Sequence, residues 1–167
     1  AWTQPQHKDW DNFKLRANNA IEVLQRKGYN PFILSDEVAF AHDLDSDNEA
    51  IIVSLSTEKA PAEIRYTRDK STPTRASYLY IEPFAITDSA YITAQIFQNG
   101  EAVGKPVTRR FDYHRAIGKA ITYNIPINQY YPAGGQTALV DGRNGGLAQG
   151  DGRWQGVTTG VDVTIDM

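Results

Sequence analysis

The residues whose types could do chemistry are scattered along this chain, and spacing decides most of them. Asp43 to Glu49, DLDSDNE, is rich in carboxylates. An EF-hand calcium loop needs a glycine at its sharp turn and a bidentate Glu at its end. Counted from Asp43, Asn48 stands at the glycine's sixth position and Ser54 at the glutamate's twelfth, so the stretch reads as a solvated hairpin turn. Asp36-Glu37 is an adjacent acidic pair. Glycoside hydrolysis needs two carboxyls facing each other across a sugar-sized gap. Neighbours in a loop do not supply that, so the pair is read as coincidental. His7, His42 and His114 stand apart, without the i, i+4 spacing of a helical metal site, and are expected to be surface or structural. The stretch Gly134 to Gly146, GGQTALVDGRNGG, has the glycine density of a phosphate-binding loop. It lacks the GK[ST] ending and a following helix, which excludes nucleotide binding. Tyr66, Tyr78, Tyr80, Phe84, Tyr91 and Phe97 suit either a sugar-stacking platform or a sandwich core, and strand alternation turns about half of them inward.

These residues must be held by a chain of 167 residues, enough for one ordinary domain or two small ones. It is 41% hydrophobic and 22% charged, a globular rather than a disordered composition. A net charge of −3 gives no electrostatic case for nucleic acid. No apolar run approaches the roughly 18–20 residues of a membrane helix, so no membrane span is expected. There is no cysteine, which excludes disulfides, thiolate zinc sites and a Cys nucleophile. The chain opens Ala-Trp-Thr rather than on Met and is expected to be part of something longer.

The elements follow from periodicity. Trp10, Phe13, Ala17, Ala20, Ile21 and Leu24 recur at steps of three and four, which predicts a helix from Trp10 to Lys27 with one apolar face. Asp9 is the expected N-cap, Gly28 the expected C-terminal stop, and Pro31 prevents resumption. Short β-prone runs come next: Glu37 to His42, Ala50 to Leu55, Glu63 to Thr67, Tyr78 to Glu82, Ala90 to Phe97 and Val107 to Tyr113. Asn99-Gly100 is a hairpin signal. Lys119 to Asn124 reads as a strand and Pro126 to Pro132 as a loop. So many short strands argue for an antiparallel β-sandwich behind one N-terminal helix.

Three patterns add a family resemblance. Ala62 to Ser77, AEIRYTRDKSTPTRAS, resembles the module that follows the catalytic barrel in bacterial β-N-acetylhexosaminidases of glycoside hydrolase family 20. Ile64, Arg65, Tyr66, Thr67, Asp69, Ser71, Pro73 and Ser77 match its pattern, and Lys70 departs where that family places Gly. Trp2, Thr3, Trp10, Phe13, Arg16, Gly28, Tyr29 and Asn30 are similar to the final barrel helix and its exit, with Leu15-Arg16 in reversed order. The segment from Tyr131 to the end resembles the opening of a discoidin-like (galactose-binding-like) β-sandwich, carried by Gly135, Leu139, Asp141-Gly142, Gly145, Trp154, Gly156, Asp162 and a strand at Val163 to Asp166. Arg143 stands where that pattern often has Asn.

The resemblance implies residues 1–30 as the end of an upstream catalytic barrel, 31–116 as a fibronectin type III-like sandwich, and 117–167 as an incomplete discoidin-like segment. It implies a non-catalytic accessory region of a β-N-acetylhexosaminidase, acting as support and spacer, or alternatively holding glycan near the catalytic domain. The upstream barrel is then its partner, and the compartment periplasmic or extracellular. Trp154 and Tyr131 are the candidate carbohydrate-binding residues, although Trp154 reads first as the anchor of a small core. Asp141 is the candidate ligand for Ca2+, the one cofactor the resemblance suggests.

Overall fold

The computed structural model describes residues 8–142, 150 and 152–166. Trp2, Thr3, His7, Arg143 and Gly145, which carry expectations above, lie outside the described residues.

Helix α1 spans Trp10–Arg26, and both its ends are capped as the sequence demands. The Asp9 side chain accepts the Asn12 N–H at 2.9 Å. At the other end Gly28 takes φ +81°. That conformation lets the Gly28 N–H reach Gln25 O at 2.9 Å and the Tyr29 N–H reach Leu24 O at 3.0 Å, the double bond of a Schellman motif. The helix has one buried residue, the polar Asn18. Its amide donates to Glu58 O at 3.1 Å, tying the helix to the loop after the second strand. The apolar stripe does not bury: Trp10, Phe13 and Leu24 are exposed, and Trp10 stacks on Phe13 at 5.2 Å between ring centroids.

Seven strands follow: β1 (Ala39–Asp45), β2 (Ala50–Ser56), β3 (Glu63–Thr67), β4 (Tyr78–Leu79), β5 (Phe84–Ile86), β6 (Ala90–Gln98) and β7 (Glu101–Phe111). They form two antiparallel sheets, ordered β1-β2-β5 and β4-β3-β6-β7. The chain changes sheet after β2, β4 and β5, which is what makes a sandwich of them. The core between the sheets holds Ile51, Val53, Leu55, Ile64, Tyr66, Ile86, Ile92, Ala94, Ile96 and Phe111. Asn99 and Gly100 both have positive φ, +50° and +79°, as the tight β6–β7 hairpin requires.

The mainly-β expectation holds, with revisions to individual elements. The polar run after His42 does not end β1, which continues through Asp45 by turning its carboxylates outward while Leu44 faces the core. Strand β5 carries no periodic signal, being three residues just after Pro83. Residues 126–132 are not a loop. Ile127–Pro132 is a strand, β9, whose last residue opposes Gln155, and proline is tolerated at the end of an unpaired edge. Strand β7 starts at the hairpin and passes through Pro106, which its edge position permits.

The remaining strands are β8 (Ile121–Tyr123), β10 (Gln155–Val157) and β11 (Val163–Ile165). They make two separate ribbons, β8–β11 and β9–β10. This segment leans on the β1–β2 turn. Tyr113 OH donates to Glu49 O at 2.9 Å, Lys119 pairs with the Glu49 carboxylate, and a Cβ on Gly118 would lie 3.2 Å from Ser46 Cα.

Candidate functional site

The loop from Arg68 to Ser77, between β3 and β4, is the best-built polar feature of the sandwich. Its ends are fixed far apart along β6. Asp69 bridges to Tyr91 near the start of that strand, and Arg75 bonds Gly100 O and the Glu101 carboxylate beyond its end. Between those anchors Thr93, Gln95 and Phe97, on the β6 face away from the core, are buried. Inside the loop, Ser71 donates both its N–H and its hydroxyl to Asp69 Oδ1, and Thr67 Oγ1 donates to Ser71 O at 2.6 Å. The Ser71 hydroxyl, then its N–H, hold the Asp69 carboxyl below its ordinary pKa of 3.8. Thr74 N–H donates to Ser77 Oγ at 2.9 Å, which closes the turn into β4.

Lys70 explains its own departure from the family pattern. Its φ is +67°, a conformation glycine adopts without cost. Here the lysine is retained, and its Nζ lies 3.7 Å from the centre of the Tyr91 ring. That contact offsets part of the backbone cost.

One side of this loop opens on a cleft of about 670 Å3, lined by Tyr66, Thr67, Arg68, Asp69, Ser77 and Tyr78 among others. Tyr66 and Tyr78 are a directly opposed β3–β4 pair, with ring centroids 5.5 Å apart. Tyr66 also stacks face to face on Phe84 at 4.6 Å, and the Arg68 guanidinium lies 4.8 Å over the other aromatic partner, Phe84. Of the six aromatics singled out in the sequence, Tyr66 and Phe97 are buried, Tyr80 and Phe84 pack against the core from its margin, and Tyr78 stands out at 65% exposure.

The residues expected to bind sugar or metal lie elsewhere. Tyr131 and Trp154 are about half exposed, at 49% and 48%. They belong to β9 and to the residue before β10, where a Cβ on Gly156 would meet Tyr131 Cβ at 3.0 Å. The polar groups beside them are already used: Gln155 accepts from Tyr123 OH at 2.8 Å and donates to Gly135 O at 2.9 Å. Asp141 is buried, in a cavity of about 130 Å3 with His42, Asp43, Leu44, Gly134 and Thr137. Its Oδ2 covers Gly134 so closely that a Cβ there would sit 2.9 Å away. Calcium takes 6–8 oxygen ligands. Backbone carbonyls can supply part of such a shell, and among the described residues no three His, Asp or Glu side chains gather beside Asp141. Asp43 and Asp45 point out of β1 in the acidic stretch, where Asn48 bonds hold Asp45 below its ordinary 3.8. Asp45 and Asp69, both lowered, are not the raised carboxyl a glycosidase uses as its general acid.

Residues 46–108 match the model of the chitobiase/beta-hexosaminidase C-terminal domain. The match begins in the β1–β2 turn and ends within β7, so it covers most of the sandwich and the whole Arg68–Ser77 loop. It supports a C-terminal region of a hexosaminidase-like protein. No curated protein matches the chain. No described helix is long and apolar enough to cross a membrane.

Proposed function

We propose that this chain is a non-catalytic accessory region of a family 20 β-N-acetylhexosaminidase, acting as structural support and spacer for an upstream catalytic barrel. The observation that carries the reading is the match of residues 46–108 to a hexosaminidase C-terminal domain. The parent would remove terminal N-acetylhexosamine from glycans, outside the cytoplasm. The sandwich suits a spacer: β7 alone, at 11 residues, reaches roughly 36 Å. Helix α1 supports the same reading. Its Trp10, Phe13 and Leu24 face solvent, although an amphipathic stripe of that kind is ordinarily buried, and the barrel is the occupant proposed for it. The boundaries proposed are residues 1–30 for the barrel's last helix, 31–116 for the fibronectin type III-like sandwich and 117–167 for the discoidin-like segment. Calcium at Asp141 belongs to that last assignment. Metal retained after desalting into chelator-free buffer supports it, and a metal-free protein removes it.

The test is hydrolysis of a chromogenic N-acetyl-β-glucosaminide by the longer parent reading frame and by this 167-residue chain in parallel. Activity in the parent alone is the expected result. Turnover by the short chain would overturn the accessory role, and silence from both would withdraw the hexosaminidase assignment.

A further inference from the structure

We infer that the cleft between Tyr78, Arg68 and Asp69 is a glycan subsite that takes one neutral pyranose ring, with Tyr78 as the stacking platform. This inference concerns the sandwich itself and does not rest on the spacer role.

A sugar ring has a C–H face and a rim of hydroxyls. A site for it needs an exposed aromatic plane and, beside it, fixed donors and acceptors that are not already used. The cleft has each part. Its volume of about 670 Å3 lies in the range of ligand-binding clefts. Tyr78 is exposed, yet its ring is held from below by Tyr66, which in turn is locked in the core against Phe84. A platform on a two-residue edge strand is thereby given a rigid base.

The polar partners are pre-set in the same way. The Arg68 guanidinium carbon lies 4.8 Å from the centre of the Phe84 ring, a contact that restrains the guanidinium while leaving its N–H groups for a ligand. Among the described residues it makes no ion pair, unlike Arg65, Arg75 and Arg110, which pair with Glu63, Glu101 and Asp112. Asp69 uses Oδ1 for both Ser71 bonds, which leaves Oδ2 as an acceptor whose orientation those bonds fix. An arginine donor next to a carboxylate acceptor fits vicinal hydroxyls, which both give and take hydrogen bonds. The Arg68 and Asp69 charges offset each other, so the cleft carries no net charge that would favour a uronate, and a neutral sugar meets one donor and one acceptor there. The ordering cost of such a site is low, because loop and rings are immobilised before the ligand arrives.

The alternative platform, Tyr131 with Trp154, lacks this arrangement, since the side-chain amide of Gln155 next to it is spent on Tyr123 and Gly135.

The experiment is NMR titration of the full isotope-labelled chain with tetra-N-acetylchitotetraose and with cellotetraose. Saturable shifts at Tyr78, Arg68 and Asp69 with either neutral tetrasaccharide are expected. Tyr78→Ala should weaken binding about tenfold or more, and Arg68→Ala comparably, with the sandwich spectrum otherwise retained because both side chains lie outside the core. Tyr130→Ala, on an exposed ring that does not line the cleft, serves as the control and should leave affinity unchanged. The inference is overturned if neither neutral tetrasaccharide binds, if only a tetragalacturonate binds, or if binding survives Tyr78→Ala, and its loss in Trp154→Ala would then place the platform at Trp154. Hydrolysis by the parent has no bearing on any of these outcomes, so the two readings can fail separately.

Discussion

The sandwich and the segment after it are built from similar residues and hold together by different means. In the sandwich, β6 is buried along both faces, and Ile51, Ile92 and Ile96 are wholly removed from water. Among the described residues after 116 the strands pair two by two, and Tyr130, Tyr131, Trp154 and Val161 are exposed. Two-stranded ribbons are marginal alone. What anchors this segment is a small seam, where Ile117 and Val140 bury against the sandwich near Ile51 and Gly142. Burial of apolar area, more than the number of strands, separates a self-supporting unit from a dependent one.

The largest expected effect lies in the first region. Ile96→Ala removes a fully buried side chain from between the sheets and should cost about 2–5 kcal/mol, read as a cooperative loss of the whole fold in urea. Trp154→Ala, in the second region, should shift the same midpoint by less than about 0.5 kcal/mol. Equal losses from the two variants would break the contrast.

Next comes the seam. Gly142 has φ +72°, and a Cβ there would lie 2.6 Å from Ile51 Cδ1 and 3.2 Å from Ile117 Cδ1. Ile51 has nowhere to withdraw, since it is itself fully buried. Gly142→Ala should therefore cost about 2–4 kcal/mol, combining overpacking with a left-handed alanine. Hydrogen exchange sharpens the comparison. Accelerated exchange confined to β8–β11, with β6 still protected, is the signature of a dependent segment. Uniform acceleration would mean that the two regions unfold as one.

Much of this was legible in the sequence, for reasons that differ by element. Helix α1 was readable at both ends because its caps are local: Asp9 and Gly28 act within a few residues of themselves. Strand β3 was readable to the residue because its apolar and polar positions alternate cleanly. Strand β5 and strand β9 were not, because each owes its existence to a partner distant in sequence, β2 and β10 respectively. The cleft was half legible. The motif from Ile64 to Ser77 could be seen, and so could the list of aromatics. Which of those rings faces water depends on the Tyr66–Phe84 stack between different sheets, and no spacing rule reports that. The helix stripe shows the opposite failure: a periodic pattern predicts burial, and Trp10, Phe13 and Leu24 are exposed.

A smaller effect separates the helix from both β regions. Asp9→Ala removes the acceptor for the Asn12 N–H and should destabilise α1 by about 1 kcal/mol. Because Asn18 to Glu58 O is the helix's buried polar tie to the sandwich, the loss should appear as reduced helical circular dichroism with an unchanged β6 exchange pattern.

The smallest effects sit in the Arg68–Ser77 loop, where two terms nearly cancel. Lys70→Gly relieves a left-handed lysine, a gain of about 1 kcal/mol, and gives up the Tyr91 contact, a loss of about 0.5–1 kcal/mol. The net change in urea midpoint should stay within about 0.5 kcal/mol, and a loss well beyond that would mean that Lys70 does more than rest on Tyr91. Acid probes the same loop through Asp69. Its folded pKa lies below 3.8 because Ser71 bonds the charged form, so the turn's ordering is fully present above that value and is lost as pH falls through the lowered one. The Ser71 amide resonance should move as the carboxyl protonates, at a pH lower than an unperturbed Asp would require. If the cleft binds sugar through Asp69, affinity should fall over that same acid range while β6 remains protected, since the titrating group belongs to the loop and the core strand does not depend on it.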